Sequence, residues 1–250
     1  MSFNDKVVVV TGSSSGIGAA TAIKFAELGA KVTIVGRNET KLNNVAKKCN
    51  NPLVIVADVT KEDDLKKIVN ETVKHFGKLD ILVNNAGIGK LTTITEENAM
   101  QAYNEVMATN LHSVVHLTHL AVPHIIKTKG NIVNISSIAA YTTVFKAGFP
   151  YQTSKAALDH FTRSIASELA SSGVRVNSVN PGPVYTDILE NMGIAEPETF
   201  YDRVVEKTAL GRYSSPEEIA DLVLFLASEK ARGITGSIYV SDNGALVHAP

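Results

Sequence analysis

Tyr151 and Lys155 stand four residues apart in a segment whose apolar residues recur at helical spacing, so the two side chains share one helix face. A phenol beside an ammonium can manage a proton. Hydride addition to a carbonyl leaves negative charge on oxygen, and a positioned acid must supply the proton. A free phenol titrates near ~10, and lowering it to about 7 requires roughly 4 kcal/mol at ~1.36 kcal/mol per unit. One ammonium about 4 Å away, at an effective dielectric near 20, supplies about that much.

A second constellation lies at the N-terminus. Thr11-Gly12-Ser13-Ser14-Ser15-Gly16-Ile17-Gly18 joins a predicted strand to a predicted helix. Its glycines permit a tight turn and close backbone approach to a pyrophosphate, and the helix N-terminus offers unpaired N–H groups to the anion. The end of the second strand separates the two nicotinamide cofactors. NAD-binding domains usually place an acid there for the ribose 2′-hydroxyl. This chain has Gly36 followed by Arg37 and Asn38. No carboxylate repels a 2′-phosphate, and a guanidinium can bind one bidentately. NADP (as NADPH) is therefore the expected cofactor, with NAD the weaker candidate.

These residues need a scaffold that brings them to one edge. Val7 to Val10 is a β-branched run ending in Thr11-Gly12, as in a buried parallel strand. Ala19, Ala20, Ile23, Ala26 and Leu28 follow at helical spacing, with Gly29 placed to stop the helix. Strands are expected at Val32–Val35, Leu53–Ala57, Leu79–Val83, Asn131–Ile135, Val174–Val179 and Ser237–Val240. Thr60 with Asp63 reads as the start of a helix whose buried face carries Leu65, Ile68, Val69, Val73 and Phe76. Residues 99–126 read as mostly helical. Pro150 opens a helix with Leu158, Phe161, Ile165 and Leu169 on its buried face, and Ser215-Pro216-Glu217-Glu218 combines an N-cap, an N1 proline and a capping-box glutamate. Strands and helices alternating from end to end imply a parallel sheet with helices on both faces, an α/β domain of three layers. Residues 1–250 read as one domain with one irregular excursion, 181–210, which would leave the sheet's carboxyl edge as a substrate lid.

The G-x-x-x-G-x-G spacing of the loop, the Asn84-Asn85-Ala86-Gly87 motif, Tyr151-x-x-x-Lys155 and Asn180-Pro181-Gly182 together resemble the classical short-chain dehydrogenase/reductase family. The resemblance covers essentially the whole chain. It implies a Rossmann-like, doubly wound parallel sheet and a catalytic tetrad of Asn110, Ser137, Tyr151 and Lys155. Ser137 would orient the carbonyl and stabilise the developing oxyanion, with Ser136 the alternative; Asn110 would hold a water in a proton relay; Lys155 would also bond the nicotinamide ribose. The cofactor would meet Gly12, Ser14, Ser15, Gly16, Ile17 and Gly18, then Arg37 and Asn38. Asp58 and Val59 would lie at its adenine and Asn85, Ala86 and Gly87 along its length. Tyr151, Lys155, Pro181, Gly182, Val184 and Thr186 would lie at its nicotinamide end. Two departures stand out: Val240-Ser241-Asp242-Asn243-Gly244 replaces the usual VDGG-like ending, and Ala140 stands where many members have glycine. The family also implies a homotetramer.

The expected substrate pocket comprises Ile88, Ser137, Ala139, Tyr141, Phe145, Phe149, Tyr151, Pro183, Leu189 and Met192. Mostly apolar, it favours a small-molecule ketone or secondary alcohol flanked by hydrocarbon, such as a steroid or isoprenoid. A 3-oxoacyl thioester reductase is the alternative enzyme, and a non-catalytic NADP-binding sensor or scaffold the alternative of another class. With 24 Lys+Arg against 25 Asp+Glu, no global field recruits nucleic acid or an anionic membrane. Cys49 is the single cysteine, which excludes an intrachain disulfide framework. His112, His116 and His119 carry no metal-binding pattern, and no metal is expected. The N-terminus lacks a signal-peptide pattern, no apolar run reaches the ~20 residues of a membrane span, and a cytoplasmic location is the expectation.

Overall fold

The computed structural model describes residues 1–144, 146–192 and 204–248. Seven strands form one parallel sheet in the order β3-β2-β1-β4-β5-β6-β7: β1 Val7–Thr11, β2 Lys31–Gly36, β3 Leu53–Val56, β4 Ile81–Asn84, β5 Asn131–Ile135, β6 Arg175–Pro181 and β7 Ile238–Ser241. The order reverses between β1 and β4, and at that reversal a crevice opens beyond the carboxyl ends of the strands.

The run of valines in β1 explains why both faces are covered. Val8 and Val10 point into one core, and Val7 and Val9 into the other. The first core seats Phe25 of α1 (Gly16–Glu27) and Leu42 of α2 (Glu39–Ala46). It also takes Ile219 and Val223 of α8 (Pro216–Ala227). The second seats Leu65 and Ile68 of α3 (Glu62–Phe76), Leu117 and Ile125 of α5 (Ser113–Thr128), and Leu169 of α6 (Phe149–Leu169). Two shorter helices among the described residues are α4 (Ala99–Met107) and α7 (Ile188–Asn191). Among the described residues no helix is long and apolar enough to cross a membrane.

Local signals held where the chemistry is local. Ser215 and Glu218 close the capping box, with Pro216 in the first turn of α8. Two expectations shift. α3 begins at Glu62 with Lys61 as its N-cap, because Thr60 gives both its N–H (3.0 Å) and its hydroxyl (2.8 Å) to Asp58 Oδ1. The buried face of α6 carries Thr162 and Ala166 with Leu158 and Leu169, while Phe161 and Ile165 are only half buried. Small side chains there let the helix lie close to the sheet.

Candidate active site

The phosphate loop is built by mutual ties. The N–H groups of Asn85 and Ala86 donate to Thr11 Oγ1 at 3.0 and 3.1 Å, and Asn85 Nδ2 donates to the carbonyls of Thr11 (2.9 Å) and Gly12 (3.2 Å). Ser13, fully buried, accepts from the Val35 N–H at 2.8 Å and so fastens the loop to β2. Gly12 adopts φ +65, a left-handed conformation, and a Cβ there would lie 2.8 Å from Ala86 Cα. A Cβ on Gly18 would run into the Gly12 carbonyl oxygen and the Asn85 amide. Gly18 thus packs beneath the loop, and Gly18→Ala is expected to cost about 1–3 kcal/mol of stability and to spoil the cradle. Equilibrium denaturation and NADPH fluorescence titration read the two effects; wild-type values in both would contradict it.

Above the loop a cavity of about 670 Å³ runs across the carboxyl edge of the sheet. Of the residues expected to hold a dinucleotide, all but Gly18 and Asn38 line it. Asn38 instead caps α2, its Oδ1 accepting from the Lys41 N–H at 2.9 Å. The cavity's size, the glycines of its loop and the adjacent N-terminus of α1 fit an extended dinucleotide. Arg37 and Asp58 face its far end. Burial pushes the Asp58 carboxyl up, but the two Thr60 hydrogen bonds, with Arg37 and Lys61, outweigh burial and hold it below the usual carboxylate range.

At the other end α6 presents its polar face. Tyr151 and Lys155 are buried, and the Lys155 ammonium sits 5.5 Å from the Tyr151 ring centroid. The Ser137 hydroxyl neighbours the Tyr151 phenol and acts to lower its titration. Ser136 turns away, donating to the Lys155 carbonyl at 3.1 Å. Ser137 is therefore the hydroxyl that meets the phenol. Asn110 lies in a π-helical turn, Ala108–His112, between α4 and α5. Its amide accepts from the Ile88 N–H and donates to the Ile88 carbonyl, both at 2.9 Å. A Cβ on Gly87 would fall 3.4 Å from Asn110 Oδ1 and 3.7 Å from Lys155 Nζ, so the three residues are neighbours. The expected tetrad comes together.

The electrostatics correct one expectation. Lys155 Nζ donates to the Ile135 carbonyl at 2.8 Å and lies over the phenol ring. Burial raises the Tyr151 phenol above its ordinary value, the Ser137 hydrogen bond only partly opposing it. Burial draws the Lys155 ammonium down to about 8, with Asp159 opposing. In this state the phenol stays above its ordinary value, and its shift is set by burial and Ser137 rather than by the ammonium.

Ile88, Ser137, Tyr151, Pro183, Leu189 and Met192 line the substrate end, whereas Ala139, Tyr141 and Phe149 do not. Ala139 is buried, Tyr141 is exposed, and Phe149 stacks on Tyr103. Phe145 lies outside the described residues, as do 193–203 of the expected lid. Ile138, Thr142, Thr143, Val144, Val204 and Lys207 line the cavity without having been singled out in the sequence; only the fold brings these segments to one wall. The first residues of the expected lid are tied to α2: Asp187 pairs with Lys41 at 2.7 Å. That ammonium, with Ser15 also contributing, holds the Asp187 carboxyl below its usual range.

A family model described as "Enoyl-(Acyl carrier protein) reductase" matches residues 12–245. L-fucose dehydrogenase of Bos taurus is 36% identical over 243 residues, covering 96% of this chain and 89% of that protein. A crystal structure of a short-chain dehydrogenase/reductase from Caenorhabditis elegans with cofactor superposes with a TM-score of 0.92 at 38% identity, over 99% of this chain and 97% of the other. The 3-ketoacyl-(acyl-carrier-protein) reductase of Brucella melitensis complexed with NADH does so at 0.90 and 30% identity, over 98% and 100%.

Proposed function

The chain belongs to the short-chain dehydrogenase/reductase family of oxidoreductases, and from that premise we propose that it is an NADP-dependent enzyme. Its reaction is hydride transfer between the nicotinamide and a ketone or secondary alcohol flanked by apolar groups, such as a steroid or isoprenoid. The observation that carries the proposal is the meeting of the Ser137 and Tyr151 hydroxyls in the wall of a cavity that continues without a break to the glycine loop. The bound nicotinamide supplies the hydride donor or acceptor. The protein supplies the rest. Ser137 and Tyr151 offer two hydroxyls to one carbonyl oxygen, and Tyr151 delivers the proton as charge develops there. Lys155, anchored on Ile135, places a positive charge beside the phenol. Asn110 fixes the backbone at Ile88, next to Gly87 and Lys155. The 181–192 segment serves as the start of a lid, and Ile88, Val144, Leu189 and Met192 support an apolar partner for the substrate.

The test is NADPH oxidation by the purified protein across steroid, isoprenoid, 3-oxoacyl thioester, diketone and sugar substrates. Turnover of a hydrophobic ketone supports the reading. Turnover confined to thioesters moves the assignment to a 3-oxoacyl thioester reductase, a second reading favoured by the similarity to the Brucella enzyme. NADPH binding without any turnover would point to a sensor or scaffold. We extend the proposal to a cytoplasmic homotetramer, supported by the exposed edge strand β7, where Val240 is 41% exposed. A monomer by light scattering would refute it.

A further inference from the structure

Asp159 lies one turn beyond Lys155, so Tyr151, Lys155 and Asp159 climb one face of α6 at successive turns. It is 3% exposed, and the chemistry described above makes no use of it. A carboxylate so buried demands partners. It receives Asn180 Nδ2 at 2.7 Å and Ser178 Oγ at 3.2 Å, both from β6. The same Asn180 amide donates to the Ser137 carbonyl at 3.0 Å. A continuous path thus leads from the carboxylate, through one amide, to the backbone of the residue whose hydroxyl meets Tyr151. The second link is through space. Lys155 is buried with its ammonium on a neutral carbonyl, and Asp159 is the opposing charge that acts on it among the described residues.

We propose that Asp159 is a positioning residue for the reaction, fixing the Ser137 backbone through Asn180 and balancing the charge of the Lys155 ammonium. The inference rests on the roles proposed for Ser137, Tyr151 and Lys155. Its chemistry is electrostatic: the carboxylate touches neither substrate nor cofactor. The groups facing it are Lys155 of its own helix, Tyr141 beyond β5 (on which Arg163 also acts), and the neutral Ser178 and Asn180 of β6. Lys155 already titrates at about 8, and losing Asp159 would let it fall further.

The experiment compares the full-length wild type with Asp159→Asn, Asp159→Glu and Asn180→Ala. One readout is the pH profile of NADPH-dependent reduction of 2,3-butanedione or whichever panel ketone turns over. The other needs no turnover: NMR titration of [13C]ε-lysine protein, with the Lys155 signal assigned by its loss in Lys155→Met. In Asp159→Asn the Lys155 midpoint is expected to fall by roughly one unit, and the alkaline limb of the profile with it. Asp159→Glu should restore both. Asn180→Ala should lower kcat about tenfold with the limb in place, because the tie to the Ser137 backbone is lost while Asp159 keeps its charge and its Ser178 bond. Asp159→Ser, which keeps a hydrogen-bonding oxygen without the charge, serves if the asparagine variant does not fold. An unmoved Lys155 midpoint in the uncharged variant, or wild-type kcat in Asn180→Ala, overturns the inference. Tyr151→Phe run in parallel separates the two readings: activity surviving in that variant defeats the proposed acid itself, whatever Asp159 does.

Discussion

Tyr151→Phe is expected to lower kcat for carbonyl reduction by about 10²–10⁴, the usual contribution of a positioned general acid. NADPH affinity should stay within about twofold, since the change removes one oxygen and keeps the ring that packs beside Lys155. Burial strengthens the expectation. Tyr151 is 9% exposed, and Ser137 is the hydroxyl that acts on its phenol. A water taking its place would lack the ordered geometry that makes proton delivery fast. Single-turnover absorbance of NADPH, with affinity measured separately by fluorescence, reads both quantities. Loss confined to affinity would make Tyr151 a binding residue and remove it from the chemistry.

The same geometry sets the pH dependence. Burial holds the phenol above its ordinary value, so Tyr151 keeps its proton through neutrality, the form that reduction requires. Lys155 loses its charge as pH rises through about 8. Reduction should therefore hold on the acid side and decline above about pH 8. Alcohol oxidation needs the phenol to have given up its proton first, and with the phenol raised by burial it should climb only well above neutrality. Profiles of kcat/KM in both directions that rise and fall together would contradict this assignment.

How much of this was legible in the sequence follows from the range of each interaction. The strand–loop–helix at Val7–Glu27, the capping box at Ser215 and the pairing of Tyr151 with Lys155 depend on neighbours within a turn or two, and each was readable. The choice between Ser136 and Ser137 was not readable from spacing. It depends on which hydroxyl faces α6 at the end of β5, and there Ser136 is taken by the Lys155 carbonyl. Asn38 looked like a cofactor ligand because it follows Arg37, but the start of α2 claims its side chain. The Lys41–Asp187 pair and the Asp159–Asn180–Ser137 path join segments distant in the chain, and only the assembled sheet brings them into contact. The phenol's raised titration was likewise invisible, because the sequence shows an ammonium nearby but not the loss of water around both groups.

Arg37→Ala is expected to weaken NADPH binding by about 10- to 100-fold, as befits charge-assisted hydrogen bonds to one dianionic group, and to leave NADH binding within about threefold. The position carries the argument. Gly36 ends β2, so the next side chain stands at the edge of the cavity, and Arg37 lines it opposite Asp58. Asp58 does not consume the guanidinium: both of its bonds to Oδ1 come from Thr60, and Arg37 acts on it through space. The fork thus keeps its donors for a planar or tetrahedral oxyanion. Arg37→Asp should go further, because a carboxylate there both accepts from a ribose 2′-hydroxyl and repels a 2′-phosphate, and the ratio of the two affinities should reverse. Since Arg37 is exposed to solvent, any preference it confers for NADPH should shrink with added salt while NADH binding changes little. Calorimetric titration of both cofactors against the three proteins reads every term. A wild type that binds NADH more tightly than NADPH would leave Arg37 a solvated surface residue and move the enzyme to NAD.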